Sequence, residues 1–587
     1  MRTTIYYNKI QLKLLGLLFT ILLFHWSNAQ SNLPMKDTSV IDKQTDCLKE
    51  REQIITAYKN KDYNKVQELA SNYLKNSPYD YEICYLLAQT EYFLKKWSKA
   101  ITYFKIALDF GYNVAESKYN IACCYALQGN SELAFKWLND AINDHPSYYY
   151  QWMEDSDLSN LANNQNYLNK LSHYNRDAVT RHSKWLADIE FFNERMRQFH
   201  FNLFENITEK DWDDEINKLE DKIGSLKDHE IVVELMKIAA KVGDGHTVVA
   251  PPVSGDIIFH RAPFLTHLFD DGLYIINAKN SHSDLLGAKV LKIDDMPINE
   301  VANKVQTVIS HDNQFGIKWL LPLALNMPEL LNALKITQNK IEYKLEVEKD
   351  GNIRTLNIVC NDELTSDFLE SWLYGFYTEK GWSKMSIKKT PTSQTRLEDP
   401  YWFEYLPEDQ LVVFHYNQVQ TSPEESESEF THRLTEFVSN NKVKALIVDL
   451  RSNEGGDNTI YQPILNGIIS NEKINKKRKL FVFIGRRTFS AGMCFATELE
   501  KSTNAIFVGE PTGSSPNFVG ESGGVFQLPY SEIWINASNL FWQNSYAFDK
   551  RKFISPQVFV KDSFRGYYEG VDSCLEVVKQ MVQGKGD

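Results

Sequence analysis

Ser490 opens a run of helix formers directly after an apolar strand and a short polar turn. Phe481, Val482, Phe483 and Ile484 form the strand, residues 485–488 break it, and Ala491, Phe495 and Leu499 then recur four apart on one helical face. A serine at such a junction meets free backbone N–H groups and the positive end of the helix dipole. That is a place for a nucleophilic oxygen beside donors able to hold an oxyanion. The plainer reading, an N-cap serine, stands beside it. Upstream, the apolar run 445–450 opens into a loop holding Gly455 and Gly456. Paired glycines let a backbone approach a ligand closely. Downstream, IFVGEPTG at 506–513 reads as a third buried strand ending in a turn. Strand, glycine loop, strand, serine-headed helix, strand is an alternating α/β order with its loops at strand ends.

DLRSNEGG, RRTFSAGM and VGEPTG, in this order, resemble the core of the tail-specific, or C-terminal-processing, serine peptidases. The resemblance runs from about Arg176 to the C-terminus. It implies a crotonase-like α/β core, Ser490 as nucleophile, and an oxyanion hole made by the N–H of Ala491 and one from the Gly455–Gly456 loop. It also implies a peptide or protein substrate and no metal or cofactor.

The family activates its serine in two ways. One branch places a lysine just after the GEPT strand. Here no lysine occurs between Lys501 and Lys550, and Ser514 or Ser515 falls where it would be. The tricorn-like branch uses histidine, and DGHT at 244–247 resembles the place where that branch keeps it. His246 would take the proton of Ser490 and return it to the leaving amine. A structural loop histidine at a helix C-terminus is the competing reading. In that branch a carboxylate before the last core strand orients the histidine, and Asp549 is the residue here. The chain departs from the pattern with Gln557 where aspartate is common, Asp rather than Glu at 549, and Gly245 in place of serine. Glu521 is the second choice for the orienting acid.

The chain has 587 residues, room for three or more domains. A net charge of −13 argues against nucleic acid as a partner. Arg2, Lys9 and Lys13 precede an apolar run at 14–24, and Ser27-Asn28-Ala29 fits a small-x-small cleavage site. Residues 1–29 read as a signal peptide and 30–45 as a linker. The expectation is an exported protein, periplasmic or secreted, with no membrane span after cleavage. Seven scattered cysteines form neither a disulfide framework nor a metal site.

Ala88, Ala100, Phe104 and Ala107 recur 34 residues later as Ala122, Ala134, Leu138 and Ala141. That is the tetratricopeptide period, so 46–171 is expected to be an all-α repeat array, a docking surface for a protein partner or a spacer. Residues 176–250 read as the helical N-terminal part of the peptidase region, 361–400 as a connector and 401–580 as the serine peptidase core. Residues 255–360 read as β-rich, with 273–278, 287–301 and 340–359 alternating as half-buried strands, and resemble a PDZ-like domain that would capture substrate C-termini. Two rivals remain: the same fold with catalysis lost, acting as a binding protein, and a repeat-based docking scaffold.

Overall fold

The computed structural model describes residues 38–145, 148–164, 166–167, 177–375, 379–521 and 523–584. The expected signal peptide, part of the linker and the end of the expected repeat region at 168–171 lie outside them. The chain divides into two compact units, one holding residues up to Ala141 together with Asp155–Leu161, the other the remainder.

The first unit is helical: α1 Thr38–Lys59, α2 Tyr63–Asn76, α3 Tyr81–Phe93, α4 Trp97–Asp109, α5 Val114–Leu127 and, running to its edge, α6 Ser131–Asp144. All eight positions of the 34-residue recurrence are buried. Ala88, Ala100, Phe104 and Ala107 share one core cluster with Tyr85 and Ile121, so small residues let α3, α4 and α5 approach while the rings fill between them.

The second unit opens with α7 Arg181–Phe199, α8 Glu209–Lys222 and α9 Asp228–Ala240. Strand β1 Val248–Val249 follows, then β2 Phe264–Phe269, β3 Gly272–Lys279 and β4 Lys289–Ile293. The β-rich expectation fails over the next stretch, which folds as α10 Ile298–Val305, α11 Gln314–Ala324 and α12 Pro328–Ala333. Leu321, Ala324, Leu330 and Leu331 there are buried, and burial of these faces outweighs the alternating reading. Strands β5 Glu342–Lys349 and β6 Asn352–Val359, helix α13 Ser366–Tyr374 and strand β7 Trp382–Lys384 come next. They complete an antiparallel sheet ordered β7-β3-β4-β5-β6, with β2 also on β3.

The core is a six-stranded sheet. Its strands are β8 Tyr401–Leu406, β9 Leu411–Tyr416, β10 Ala445–Asp449, β11 Leu480–Ile484, β12 Ile506–Gly509 and, after four short strands, β17 Val558–Phe559. The four are β13 Asn517–Gly520, β14 Gly524–Gln527, β15 Trp534–Ala537 and β16 Leu540–Gln543. The order β8-β9-β10-β11-β12-β17 follows the chain, the first pair antiparallel and the rest parallel. Helices α14 Glu427–Asn440, α15 Gln462–Ser470 and α16 Ser490–Ser502 bury Phe430, Ile464 and Phe495 against Phe414, Val448 and Val482. Alternate residues Val413, Ile447, Phe481 and Val508 face the other way, against Val578 of α17 Ser573–Val582. With both faces covered, the strands read as continuous apolar runs. The loops after β10, β11 and β12 leave from their carboxyl ends, where an open α/β sheet places its ligands.

Candidate active site

Ser490 is the first residue of α16, but it does not cap the helix. The cap position is Phe489, and no side chain there closes the helix. Ser490 itself has a φ of 48°, in the left-handed region that a non-glycine residue rarely adopts. The turn is sharp because Thr488 is tied back: its hydroxyl donates to Leu450 O (2.9 Å) and accepts from Gly485 N–H (3.1 Å). Phe489 N–H donates to Asn453 O at 3.0 Å, which joins the serine turn to the glycine loop.

That loop follows β10. Gly455, at φ 122°, lies so close to the serine that an added Cβ would stand 2.6 Å from Ser490 Cβ, 2.9 Å from Ala491 N and 3.1 Å from Ser490 Oγ. Only glycine fits. Asn453 shapes the loop. Its Oδ1 accepts from Gly455 N–H at 3.0 Å, and its Nδ2 donates to Tyr416 O at 2.8 Å. Gly455 N–H is therefore engaged by Asn453. Ala491 N–H lies in the first turn of α16, before any intrahelical acceptor exists for it. Behind the loop, Glu454 pairs with Arg487, and burial pushes its carboxyl up to about 7 against the pull of that guanidinium.

His246 is set by a buried aspartate. Asp244 Oδ1 accepts from His246 N–H (3.0 Å), Thr247 N–H (2.6 Å) and Ser538 Oγ (2.8 Å), and Asp244 Oδ2 lies 2.9 Å from His200 Nε2. Asn536 Nδ2 donates to His246 O at 2.7 Å, and β1 pairs with β15 beyond it. The imidazole is held between two rings. Phe489 stacks on one side with centroids 4.4 Å apart, and Phe518 of β13 on the other at 5.3 Å. Trp319 of α11 packs on Phe489 in turn, at 5.5 Å. Both ring nitrogens are shut off from solvent and, among the described residues, neither has a hydrogen-bond partner. Burial holds the imidazole below the usual histidine value, against the upward pull of Asp312, Asp244 and Glu521.

The chain matches no family model and no curated protein. Among solved structures it is similar to mature CPAF, at 13% identity over 70% of this chain and 99% of that one, with a TM-score of 0.48. It is also similar to the photosystem II D1 C-terminal processing protease, at 12% identity over 68% and 99%, with a TM-score of 0.32. A putative peptidase from Parabacteroides merdae gives 12% identity over 70% and 99%, with a TM-score of 0.34. At such identity and fit the likeness assigns no activity, which has to be read from the chemistry around Ser490.

The structure thus brings together Ser490, Ala491, Gly455 and, through Phe489, His246. Asp549 is placed elsewhere. Ser545 Oγ donates to its Oδ2 at 2.6 Å, and Arg551 lies 2.8 Å away and holds its carboxyl well below the usual range. Its carboxylate pairs with Arg551 and makes no hydrogen bond to His246, whose ring nitrogens have no partner among the described residues. Glu521 lies exposed on the loop after β13 and acts on His246 only through its charge. Asp312 escaped the sequence reading. Its carboxylate is buried beside Gly245, whose N–H donates to Oδ1 at 2.7 Å, and Ser514 Oγ donates to Oδ2. The signal for it was thin, a polar Ser310-His311-Asp312-Asn313 loop inside a stretch read as β-rich.

Among the described residues no cluster could hold a metal ion, and no helix is long and apolar enough to cross a membrane.

Proposed function

We propose that this chain is a serine peptidase that cleaves peptide bonds by a covalent mechanism. The observation that supports it best is the strained Ser490 at the head of α16, with Gly455 packed against its Oγ. Ser490 Oγ attacks the substrate carbonyl carbon while His246 takes its proton. Ala491 N–H and Gly456 N–H hold the oxyanion, and the dipole of α16 adds to them. Collapse breaks the C–N bond, and the amine leaves with the proton from His246. Water then repeats the sequence on the acyl-enzyme. The N-terminal segment fits an exported enzyme acting on peptides outside the cytoplasm. The antiparallel sheet is assigned to a PDZ-like substrate-holding part, and the repeat unit to docking a protein partner.

One observation favours a second reading, a peptidase fold acting as a binding protein. The imidazole is clamped between Phe489 and Phe518 with neither nitrogen bonded. A serine-directed phosphonate separates the two. The peptidase reading expects labelling at Ser490, lost in Ser490→Ala and slowed in His246→Ala by roughly 10³-fold or more. Absence of labelling over a range of pH and peptide additives would leave the binding protein.

A further inference from the structure

Four carboxylates are candidates for positioning His246; two are paired with other basic side chains and a third is exposed. Asp244 is buried but saturated by His200, Ser538 and the two backbone N–H groups it fixes. Asp549 is neutralised by Arg551. Glu521 lies exposed to water, where its charge is screened. Asp312 remains. It lies on the loop between α10 and α11, outside the catalytic sheet. Gly245 N–H donates to its Oδ1 at 2.7 Å, and Ser515 N–H to its Oδ2 at 3.3 Å, alongside the Ser514 hydroxyl. Ser514 is fully buried. A Cβ on Gly245 would stand 3.4 Å from Asp312 Oδ1, so the carboxylate lies against the backbone that carries His246.

The neighbouring Asn313 staples this loop in place. Its Nδ2 donates to Thr512 O (3.2 Å) and Lys552 O (2.6 Å), and its Oδ1 caps α11. Asp312 is thereby anchored at once to the histidine turn and to the loop after β12. Ser514 or Ser515 falls where a Ser–Lys peptidase would keep its lysine, and both donate to Asp312, Ser514 through its hydroxyl and Ser515 through its N–H.

We infer that Asp312 is the positioning residue of His246: it holds the turn that carries the imidazole and offsets the charge the ring gains from Ser490. This rests on the peptidase reading above. The physical argument is one of missing counter-charge. A buried carboxylate without a cation is costly. Among the described residues no lysine or arginine pairs with Asp312. Burial holds its carboxyl above the usual range, with His246 foremost among the groups pulling it back. The imidazolium formed as Ser490 gives up its proton is the cation this site lacks. The step is stabilised where charge develops, by a group already fixed by three donors.

The test uses the full chain with Asp312→Asn, which keeps the shape of the side chain, and Asp549→Asn as its counterpart. Two quantities are read. One is the rate of phosphonate labelling at Ser490, with kcat and KM on a peptide. The other is the titration midpoint of His246 from hydrogen exchange at its imidazole Cε1, followed by mass spectrometry, which needs no peptidase activity. Asp312→Asn should slow labelling and kcat by about 10²–10⁴-fold with KM nearly unchanged, the pattern of a lost orienting carboxylate. It should also lower the His246 midpoint, leaving Asp244 and Glu521 as the carboxylates acting on the ring. Asp549→Asn should change neither by more than about threefold, since removal of an uninvolved charge leaves transition-state binding intact. An unmoved His246 midpoint in Asp312→Asn, or a larger loss in Asp549→Asn, overturns the inference. If nothing labels Ser490 even in the unmodified chain but the midpoint still falls, the peptidase reading fails and the Asp312–His246 link stands. Should Asp312→Asn not fold, Ser514→Ala decides. Loss of that donor should lower the midpoint and slow labelling roughly tenfold, the scale of one lost charge-assisted hydrogen bond, and no change in either refutes the assignment.

Discussion

The imidazole of His246 lies 4.4 Å from the ring of Phe489, centroid to centroid, and is tilted from it by only 22°. Ser490 is the next residue, so the turn that strains the serine also presents the surface on which the His246 ring rests. Gly245 makes the stack possible, because a Cβ there would stand 2.7 Å from the Phe489 ring. Two forces act on the imidazole in this sandwich. Aromatic faces attract an imidazolium by about 0.5–2 kcal/mol each. Burial disfavours the same charge, and the lowered pKa says that burial wins. Burial therefore favours the neutral ring, the state that the proposed role of His246 as base requires. Among the described residues neither ring nitrogen is bonded.

Opening one side of the sandwich should move the titration of His246. Phe518→Ala admits water to the ring, so the midpoint should rise toward the ordinary histidine value near 6.5. Activity needs the neutral ring, so its acid limb should move to higher pH with it. Exchange at the imidazole Cε1 measures the first effect and a pH–rate profile the second. A midpoint that stays put or falls would show that burial by Phe518 is not what lowers it.

Ser490→Gly should be inactive yet more stable than Ser490→Ala. A non-glycine residue at a φ of 48° carries strain of about 1–3 kcal/mol. Alanine keeps that strain and glycine releases it, less about 0.4–1 kcal/mol for the freer unfolded chain. Urea unfolding of the two variants should differ by roughly 0.5–2 kcal/mol in favour of glycine. Equal stabilities would mean that the turn stores no strain for the serine.

Gly455→Ala should abolish labelling at Ser490 while leaving the core sheet folded. The new methyl would meet Ser490 Cβ at 2.6 Å and Ala491 N at 2.9 Å, and the backbone at φ 122° resists any side chain. A stability loss of about 1–3 kcal/mol and at least a 100-fold loss in labelling are expected. Circular dichroism and labelling rate check the two parts, and a variant that still labels normally would separate Gly455 from the site.

The residues that sit on regular elements were readable in advance because burial writes itself into the chain. Phe481–Ile484 is apolar since both faces of β11 are covered, and the break at 485–488 marks the turn that strains Ser490. The DGHT turn after α9 points to His246, but its stack on Phe489 appears only in the fold. Asp312 was not readable, because nothing local marks it. Its neighbours are 67 residues back at Gly245 and 202 ahead at Ser514, and only the tertiary fold brings them together. The same holds for Phe518, an ordinary strand residue until β13 lays it on the imidazole. Asp549 is harder to judge from sequence for the converse reason. Its place before the last strand matched a pattern, but Arg551, two residues on, takes its charge.

A second histidine sets a different pH dependence, through stability. His415 of β9 is buried against Trp402, with Nε2 3.3 Å from Glu404 Oε1 and Nδ1 3.5 Å from Asp449 Oδ2. Burial alone would lower its pKa, but the bonds to Asp449 and Glu404 outweigh burial and raise it. Asp449 also binds Arg451, and Arg451 binds Asp572 at the cap of α17, so this network anchors the strand end that leads into the Gly455 loop. A folded value above the unfolded one means that the folded state holds the proton more tightly. The stabilisation is then fully present below the unfolded value of about 6.5 and is lost as pH rises through the folded value. Unfolding by urea at about pH 6 and about pH 8, on either side of a histidine titration, should show stability falling with pH. His415→Gln, which keeps one hydrogen bond and no charge, should flatten that dependence and lower stability mainly at the acid end. A variant whose stability changes with pH as steeply as the unmodified chain would assign the dependence to other groups.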